Sequence, residues 1–340
     1  MMRLPRRLAT ATLGALLMAS ATGYMRRTAL DAQSAENKPK TDWENYTHRT
    51  YPPTVDQHLT DPALIGAIDL HAHSDPDSYP RQWDAFEVAR MAKARGLRGV
   101  VLKNHYEETA GLAYLVRKYA TPGFEVFGAL TLDEPTGGVN PQALRYMVDV
   151  VGHYGRIVWM PTHDSEHEIT YTKQDRPFVR VAKDGRLLPQ VLEILDLIAQ
   201  HDLTLATGHV GADEAMLIIR EAKKRGVKRI IVTHPLLAPQ YTFMSMNQLK
   251  EAKSLGAFIE LVGNNFSGTP ADTARTLDAV RQIGPDAMFV ASDAGLPGRP
   301  NYVDALAIAA RTLRQAGLGE AALDKMFKQN PAHLVQLPVQ

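Results

Sequence analysis

The stretch Ile68-Asp69-Leu70-His71-Ala72-His73-Ser74-Asp75-Pro76-Asp77 sets two imidazoles two residues apart at the end of an apolar run. Alternate residues of a strand point the same way, so His71 and His73 can face one side together. Neutral imidazoles beside a carboxylate are a donor set that suits zinc, manganese or iron. The pattern recurs along the chain. Later apolar runs end in LKNHY (Lys103, His105), LDEPTGG (Asp133, Glu134), MPTHD (His163, Asp164), ATGHV (His209), IVTHP (His234), ELVGNN and VASDAG (Asp293). Six of the twelve histidines stand at such ends, which scatter would not produce.

The chemistry this set permits is metal-assisted hydrolysis. A bound cation lowers the pKa of its water towards 7 and makes a hydroxide nucleophile. Asp293 is placed to accept the proton and pass it to the leaving group. His71, His73 and Asp293 would hold one ion, and His209 with His234 a second; zinc is the first choice, with manganese or iron as alternatives. Lys103 and His163 join Asp293 as catalytic candidates. His105 and Asp164 are candidates for a ligand or a substrate contact. Asp75, Asp77, Asp133 and Glu134 read as loop or turn residues.

Something must bring these ends to one place. Apolar runs at 65–70, 99–103, 124–130, 156–160, 203–207, 229–233, 257–262 and 287–291 alternate with stretches of helical periodicity, the pattern of a parallel βα array. The clearest helix is PQVLEILDLIAQ, with Val191, Ile194, Leu195 and Ile198 on one face and Pro189 in its first turn. Eight strands interleaved with helices predict a closed (β/α)8 TIM-type barrel, whose active site lies at the C-terminal ends of the strands. Because strands one and eight are neighbours in a barrel, Asp293 can reach the His71/His73 pair. The insertion SEHEITYTKQDRPFVRVAKDGRLLP after strand four reads as a hairpin with a Lys-Asp-Gly turn. It could cover the rim with Tyr171 and Phe178.

Composition bounds the rest. The chain has 340 residues, 45% hydrophobic and 22% charged, with a formal net charge of +1. That is ordinary for a globular enzyme, and nothing points to nucleic acid. It has no cysteine, so thiolate nucleophiles, disulfides and Cys-ligated zinc are excluded. Residues 1–21 have the basic, apolar and small-residue layout of a secretory signal, and Arg6-Arg7 hints at the twin-arginine route. Residues 22–62 read as a polar arm or linker, and 63–340 as the barrel. The expected partner is a small molecule, with no membrane contact once a signal is removed and a homo-oligomer left open. An exported metal-binding protein without turnover is the reading from a different class.

His-x-His at strand one, His at strands five and six and Asp at strand eight resemble the amidohydrolase superfamily of metal-dependent barrel hydrolases. The likeness runs from residue 65 to about 337 and includes the closing MFKQNPAHLVQL. It implies His71, His73, His209, His234 and Asp293 as metal ligands, with Asp293 also the proton shuttle, acting on an amide, cyclic amide, lactone or related ester. Binuclear members usually bridge the metals with a carboxylated lysine or a glutamate from strand four. Here the lysine, Lys103, ends strand two, either carboxylated and bridging or an ammonium that binds a substrate anion. DLHAHSDPDS and GVVLKNHYEET also look like the first motifs of the polymerase-and-histidinol-phosphatase family, which implies phosphoester hydrolysis. Asn104 stands where that pattern has an aspartate, and Asp293-Ala294-Gly295 replaces its closing Asp-x-His. Non-hydrolytic decarboxylation on the same barrel is a further alternative.

Overall fold

The computed structural model describes residues 56–339. The signal assigned to residues 1–21, and the arm as far as residue 55, lie outside the described residues. The end of the arm is pinned: the backbone N–H groups of Gln57 and Leu59 donate to the buried carboxylate of Asp304 at 2.7 and 2.9 Å. Among the described residues no helix is long and apolar enough to cross a membrane.

Eight parallel strands run in the order β1 (Ile68–Ala72), β2 (Gly99–Leu102), β3 (Glu125–Thr131), β4 (Gly155–Trp159), β7 (Thr204–Ala206), β8 (Arg229–Val232), β9 (Ala257–Val262) and β10 (Met288–Ala291). The ring closes between its first and last members. Ala72 bridges to Ala294, and the N–H of Asp293 donates to the His71 carbonyl at 2.8 Å. Every strand expected from the sequence is present, interleaved with helices. The first starts three residues later than expected. Pro62–Leu64 forms a 3-10 turn capped by Asp61, and Gly66 at φ +81° turns the chain before the strand begins.

The barrel interior is filled from below by Ile68, Leu70, Val101, Phe127, Ile157, Trp159, Ile231 and Phe289. Ala332, Leu334 and Val335, from the closing NPAHLV segment, plug the bottom. Each such buried side chain contributes about 1.5–3 kcal/mol relative to exposure. The floor under the strand ends is therefore apolar and filled by side chains.

One irregularity aims the site. Ile68 pairs with Gly99 and Asp69 with Val100, but Ala72 rather than His71 stands opposite Leu102, so β1 carries one extra residue. Below the bulge Ile68 and Leu70 point inward; above it His71 packs on the inward-facing Trp159, with ring centroids 5.5 Å apart. A bulge re-aims side chains in this way. Alternation alone explains why His71 and His73 share a face, but not why that face is the interior.

The insertion after β4 departs from a plain hairpin. Its first part is a helix, Glu166–Tyr171, with Ser165 as N-cap. Only Ala182–Lys183 (β5) and Arg186–Leu187 (β6) form the hairpin, turning at Asp184 (φ 50°) and Gly185 (φ 72°) as the Lys-Asp-Gly reading requires. Tyr171 and Phe178 are largely exposed and do not close the rim.

Candidate metal centre

The strand ends bring together all six expected histidines. Ring centroids lie 5.0 Å apart for His71 and His73, 4.8 Å for His73 and His105, 4.0 Å for His105 and His163, 5.2 Å for His163 and His209, and 5.0 Å for His209 and His234. His234 closes the ring against His71 at 6.0 Å. All but His163 are buried. Two of the ring's elements carry uncommon backbone: His234 at φ 24° and Asp293 at φ 49°. Non-glycine residues held there are strained, and such strain gathers at functional sites. Gly208, at φ +65°, lets His209 approach the β4 end, because a Cβ there would run into the Met160 carbonyl.

Asp293 Oδ1 sits 3.3 Å from His71 Nε2 and 3.1 Å from His73 Nε2. The donor atoms of these three residues lie within 4.8 Å of one another, and those of His163, Glu168 and His209 form a second such group. His209 thus stands between His163 and His234, which the sequence reading had paired with it, at 5.2 and 5.0 Å between ring centroids. The Nδ1 of His234 is buried without a hydrogen-bond partner.

What lies behind each ring decides what it can offer. His71 Nδ1 is 3.1 Å from Glu260 Oε1, and Glu260 Oε2 accepts the N–H of His234 at 3.1 Å. A ring donating Nδ1–H to a carboxylate presents a bare Nε2, the arrangement that supports metal ligation. His71 Nε2 is buried and takes no hydrogen bond. His73 is different. Its Nδ1 faces the Arg81 guanidinium at 3.2 Å, and Arg81 is itself paired to Asp77 at 2.6 Å. A guanidinium can only donate, so the proton of neutral His73 sits on Nε2 and points at Asp293. Ligation through His73 Nε2 requires the Arg81 contact to open.

Burial shifts the charges consistently. Desolvation pushes the carboxyl of Glu260 up to about 8 and those of Asp69 and Asp133 up to about 7. It also raises Asp293, and it pulls His71 down to about 3 and His209 down to about 4. Glu168 and His163 go the other way: against desolvation, the His163 and His209 charges lower Glu168, and the Glu168 charge raises His163. A dication among these donors would oppose that desolvation by favouring the ionised carboxyls, and neutral imidazoles are the form that ligates. The donor set therefore fits a divalent ion.

Lys103 is fully buried and central, with Nζ 3.1 Å from His105 Nδ1 and 5.9 Å from the Trp159 ring centroid. Asp133 and Asp164, which the sequence marked as a turn residue and a ligand or substrate contact, both support the ring. Asp133 accepts Thr162 N–H at 2.7 Å and the Thr162 hydroxyl, and Thr162 Oγ1 lies 2.8 Å from His105 Nδ1. Asp164 pairs with Arg176 and accepts the N–H of Glu134 at 2.9 Å, so its oxygens turn away from ligation. Asn104 ties the loop after β1 through Ser74, Pro76 and Glu107. Tyr79 and Tyr106 stack beside His105, their hydroxyls 3.1 Å apart.

Glu260 and Glu168 were missed as site residues. Glu260 lies within an apolar strand, where an isolated buried glutamate is itself a signal because it needs a partner. Glu260→Leu should weaken metal binding by about 10–100-fold, since the ring it orients loses its tautomer. Titration of the metal-free variant with zinc against a competing chelator checks this; unchanged affinity would remove Glu260 from the centre.

Comparison with known proteins agrees on architecture. Similar solved structures include an amidohydrolase from Pseudomonas aeruginosa (15% identity, TM-score 0.55, 81% of this chain and 97% of that one). An amidohydrolase from Burkholderia multivorans with bound HEPES aligns at 15% identity and TM-score 0.54, over 80% and 99%. An organophosphorus hydrolase from Deinococcus radiodurans aligns at 15% and 0.53, over 85% and 99%. At this identity the likeness establishes the barrel. No curated protein matches. One family model matches residues 66–260, from just before β1 to Glu260, and so spans the six histidines, Lys103, Glu168 and Glu260. That is more than half of the sequence, and the chain belongs to this family, described as a family of unknown function (DUF6282).

Proposed function

We propose that the chain is a metal-dependent hydrolase cleaving an amide, cyclic amide, lactone or related ester in a small molecule, with the cation held by His71, His73 and Asp293. The observation that carries this reading is the buried, unpartnered Nε2 of His71, backed by Glu260 and facing Asp293 Oδ1 at 3.3 Å. Zinc is the first candidate, with manganese or iron next, because the donors are imidazole and carboxylate without thiolate. When bound, such an ion polarises the scissile carbonyl and acidifies a water.

The chain's own residues do the rest. Asp293 accepts the proton on its carboxylate and returns it to the leaving group. The Asp133–Thr162 pair orients His105, whose Nδ1 lies within reach of both the Thr162 hydroxyl and Lys103 Nζ. Lys103 then serves as a carboxylated bridge or as the cation for a substrate anion. The apolar floor of Trp159, Phe127 and Phe289 keeps water from entering below.

Dialysis against a chelator should abolish turnover, and zinc or manganese should restore it. Elemental analysis of protein purified without chelator should find about one to two equivalents. A folded protein that carries no metal and ignores added metal would overturn the proposal. A panel of lactones, cyclic amides, N-acyl amino acids and phosphoesters identifies the class of bond. Turnover of phosphoesters alone would give the site to the polymerase-and-histidinol-phosphatase chemistry instead.

A further inference from the structure

Asp293 also borders a recess between the ends of β9 and β10. Asn264, Ser267, Leu296, Arg299 and Ala305 line it with Asp293, and it holds about 300 Å³ counting the part open to solvent. Gly263 lets its walls close up: a Cβ there would stand 2.8 Å from the Ser292 carbonyl and 2.9 Å from the Ala305 methyl. The loop that carries Arg299 is held at both ends. The Ala294 carbonyl accepts the His73 N–H at 3.0 Å and the Gly295 carbonyl accepts the Gln82 N–H at 2.9 Å. Asn301 then caps the helix Tyr302–Gln315, its Oδ1 accepting the Asp304 N–H at 2.8 Å.

The carboxylates at the strand ends are engaged. Asp293 faces His71 and His73, Glu168 bridges His163 and His209, Glu260 meets His71 and the His234 N–H, Asp77 pairs with Arg81, and Asp164 with Arg176. Arg299 is the opposite case. It is exposed, and its guanidinium makes no hydrogen bond or ion pair among the described residues; nor does the side-chain amide of Asn264. Arg299 and Asp293 share the recess without pairing to each other. A cationic substrate group would find the rim carboxylates taken. An anionic one finds a guanidinium whose fork fits a carboxylate through two parallel hydrogen bonds.

We propose that this recess is the subsite for a substrate carboxylate, received by Arg299 with Asn264 beside it, so that the preferred substrates are amides or lactones bearing a carboxylate near the scissile bond. The subsite is separate from Lys103, which is not among its walls. The inference rests on the hydrolase reading for its substrate class, but the recess can be tested without turnover.

The full chain with zinc is compared on matched pairs that differ only in the carboxylate: N-acetylglycine against N-methylacetamide, and γ-butyrolactone-γ-carboxylate against γ-butyrolactone. The ratio kcat/KM should favour each acid by about 10–100-fold, the worth of hydrogen bonds to a charged group. In Arg299→Met that preference should fall towards unity, mostly through KM, and Arg299→Lys should keep part of it. The second readout is binding. Levulinate, the ketone isostere of N-acetylglycine, has no bond to hydrolyse. It should shift the Arg299 Nε–H signal in a proton–nitrogen correlation, that signal being identified by its absence from Arg299→Met, and butanone should not. Equal kcat/KM within each pair, a preference indifferent to Arg299→Met, or an Arg299 signal blind to levulinate would overturn the subsite and leave the hydrolase reading standing. No turnover anywhere on the panel, with the levulinate shift present, would overturn the hydrolase reading and leave the subsite standing. Failure of both would remove both.

Discussion

Asp293→Asn is expected to leave the protein folded and metal-loaded while lowering turnover by about 100- to 10,000-fold, the usual worth of a positioned general acid–base. The side chain touches both rings of the primary group through one oxygen, Oδ1. An amide keeps an oxygen for that contact, and the main-chain link from Asp293 N–H to the His71 carbonyl does not depend on the side chain. What the amide cannot do is take up a proton at neutral pH. Burial raises the Asp293 carboxyl, with the nearby His71 and Lys103 charges pulling the other way. The working form is the carboxylate, so the rate should climb with pH as that proton leaves and fall as it returns. Zinc content, thermal midpoint and steady-state rates on the substrate panel measure the three parts separately. Full turnover by the variant would remove Asp293 from the chemistry, whichever bond the enzyme cleaves.

This residue also shows how far the sequence reaches. Asp293 was visible because VASDAG follows an apolar run, and closure of the barrel makes the first and last strands neighbours. The same logic placed all six histidines. What it could not supply was direction. The extra residue in β1 that turns His71 and His73 inward has no signature in IDLHAH, because bulges are fixed by pairing with β2 and β10. Pairings across the rim were equally hidden. His209 is tied to His163 as well as lying beside His234, because Glu168 bridges the two rings from an insertion whose fold was read as hairpin throughout. Ser165 followed three residues later by Glu168 is a helix-start pattern that the hairpin reading passed over. Nothing local marked that the glutamate would turn towards two histidines. Arg81 behind His73 was missed for the same reason: it arrives on a loop, and loop conformations are not written in periodicity.

Lys103→Met should separate stability from activity more sharply than any other substitution. The lysine is wholly buried, its Nζ lies 3.1 Å from a histidine nitrogen, and among the described residues no carboxylate lies within ion-pair distance of Nζ. Burial pulls its pKa down from 10.5 to about 8. A base depressed in the folded state means that the unfolded chain holds more protons between those two values. Stability of the metal-free protein should therefore increase as pH rises from about 8 towards 10.5, and the penalty present below about 8 is of order 3 kcal/mol. Methionine has similar length and no charge. Metal-free Lys103→Met, in buffer depleted of carbon dioxide, should be more stable near pH 7 by about 1–3 kcal/mol and lack that slope. Turnover should vanish in the same variant. Both readings of Lys103 demand that, since a bridge needs the carbamate and an anion site needs the ammonium. They part in the rescue. Lys103→Ala supplied with metal and short carboxylic acids should recover some activity if a carbamate bridges the metals, and the unaltered protein fed 13C-bicarbonate should then show a carbamate carbon. Neither follows from an ammonium that binds substrate. Denaturant unfolding across pH 7–10 beside steady-state rates decides the matter, and near-normal turnover by Lys103→Met would discard both roles together.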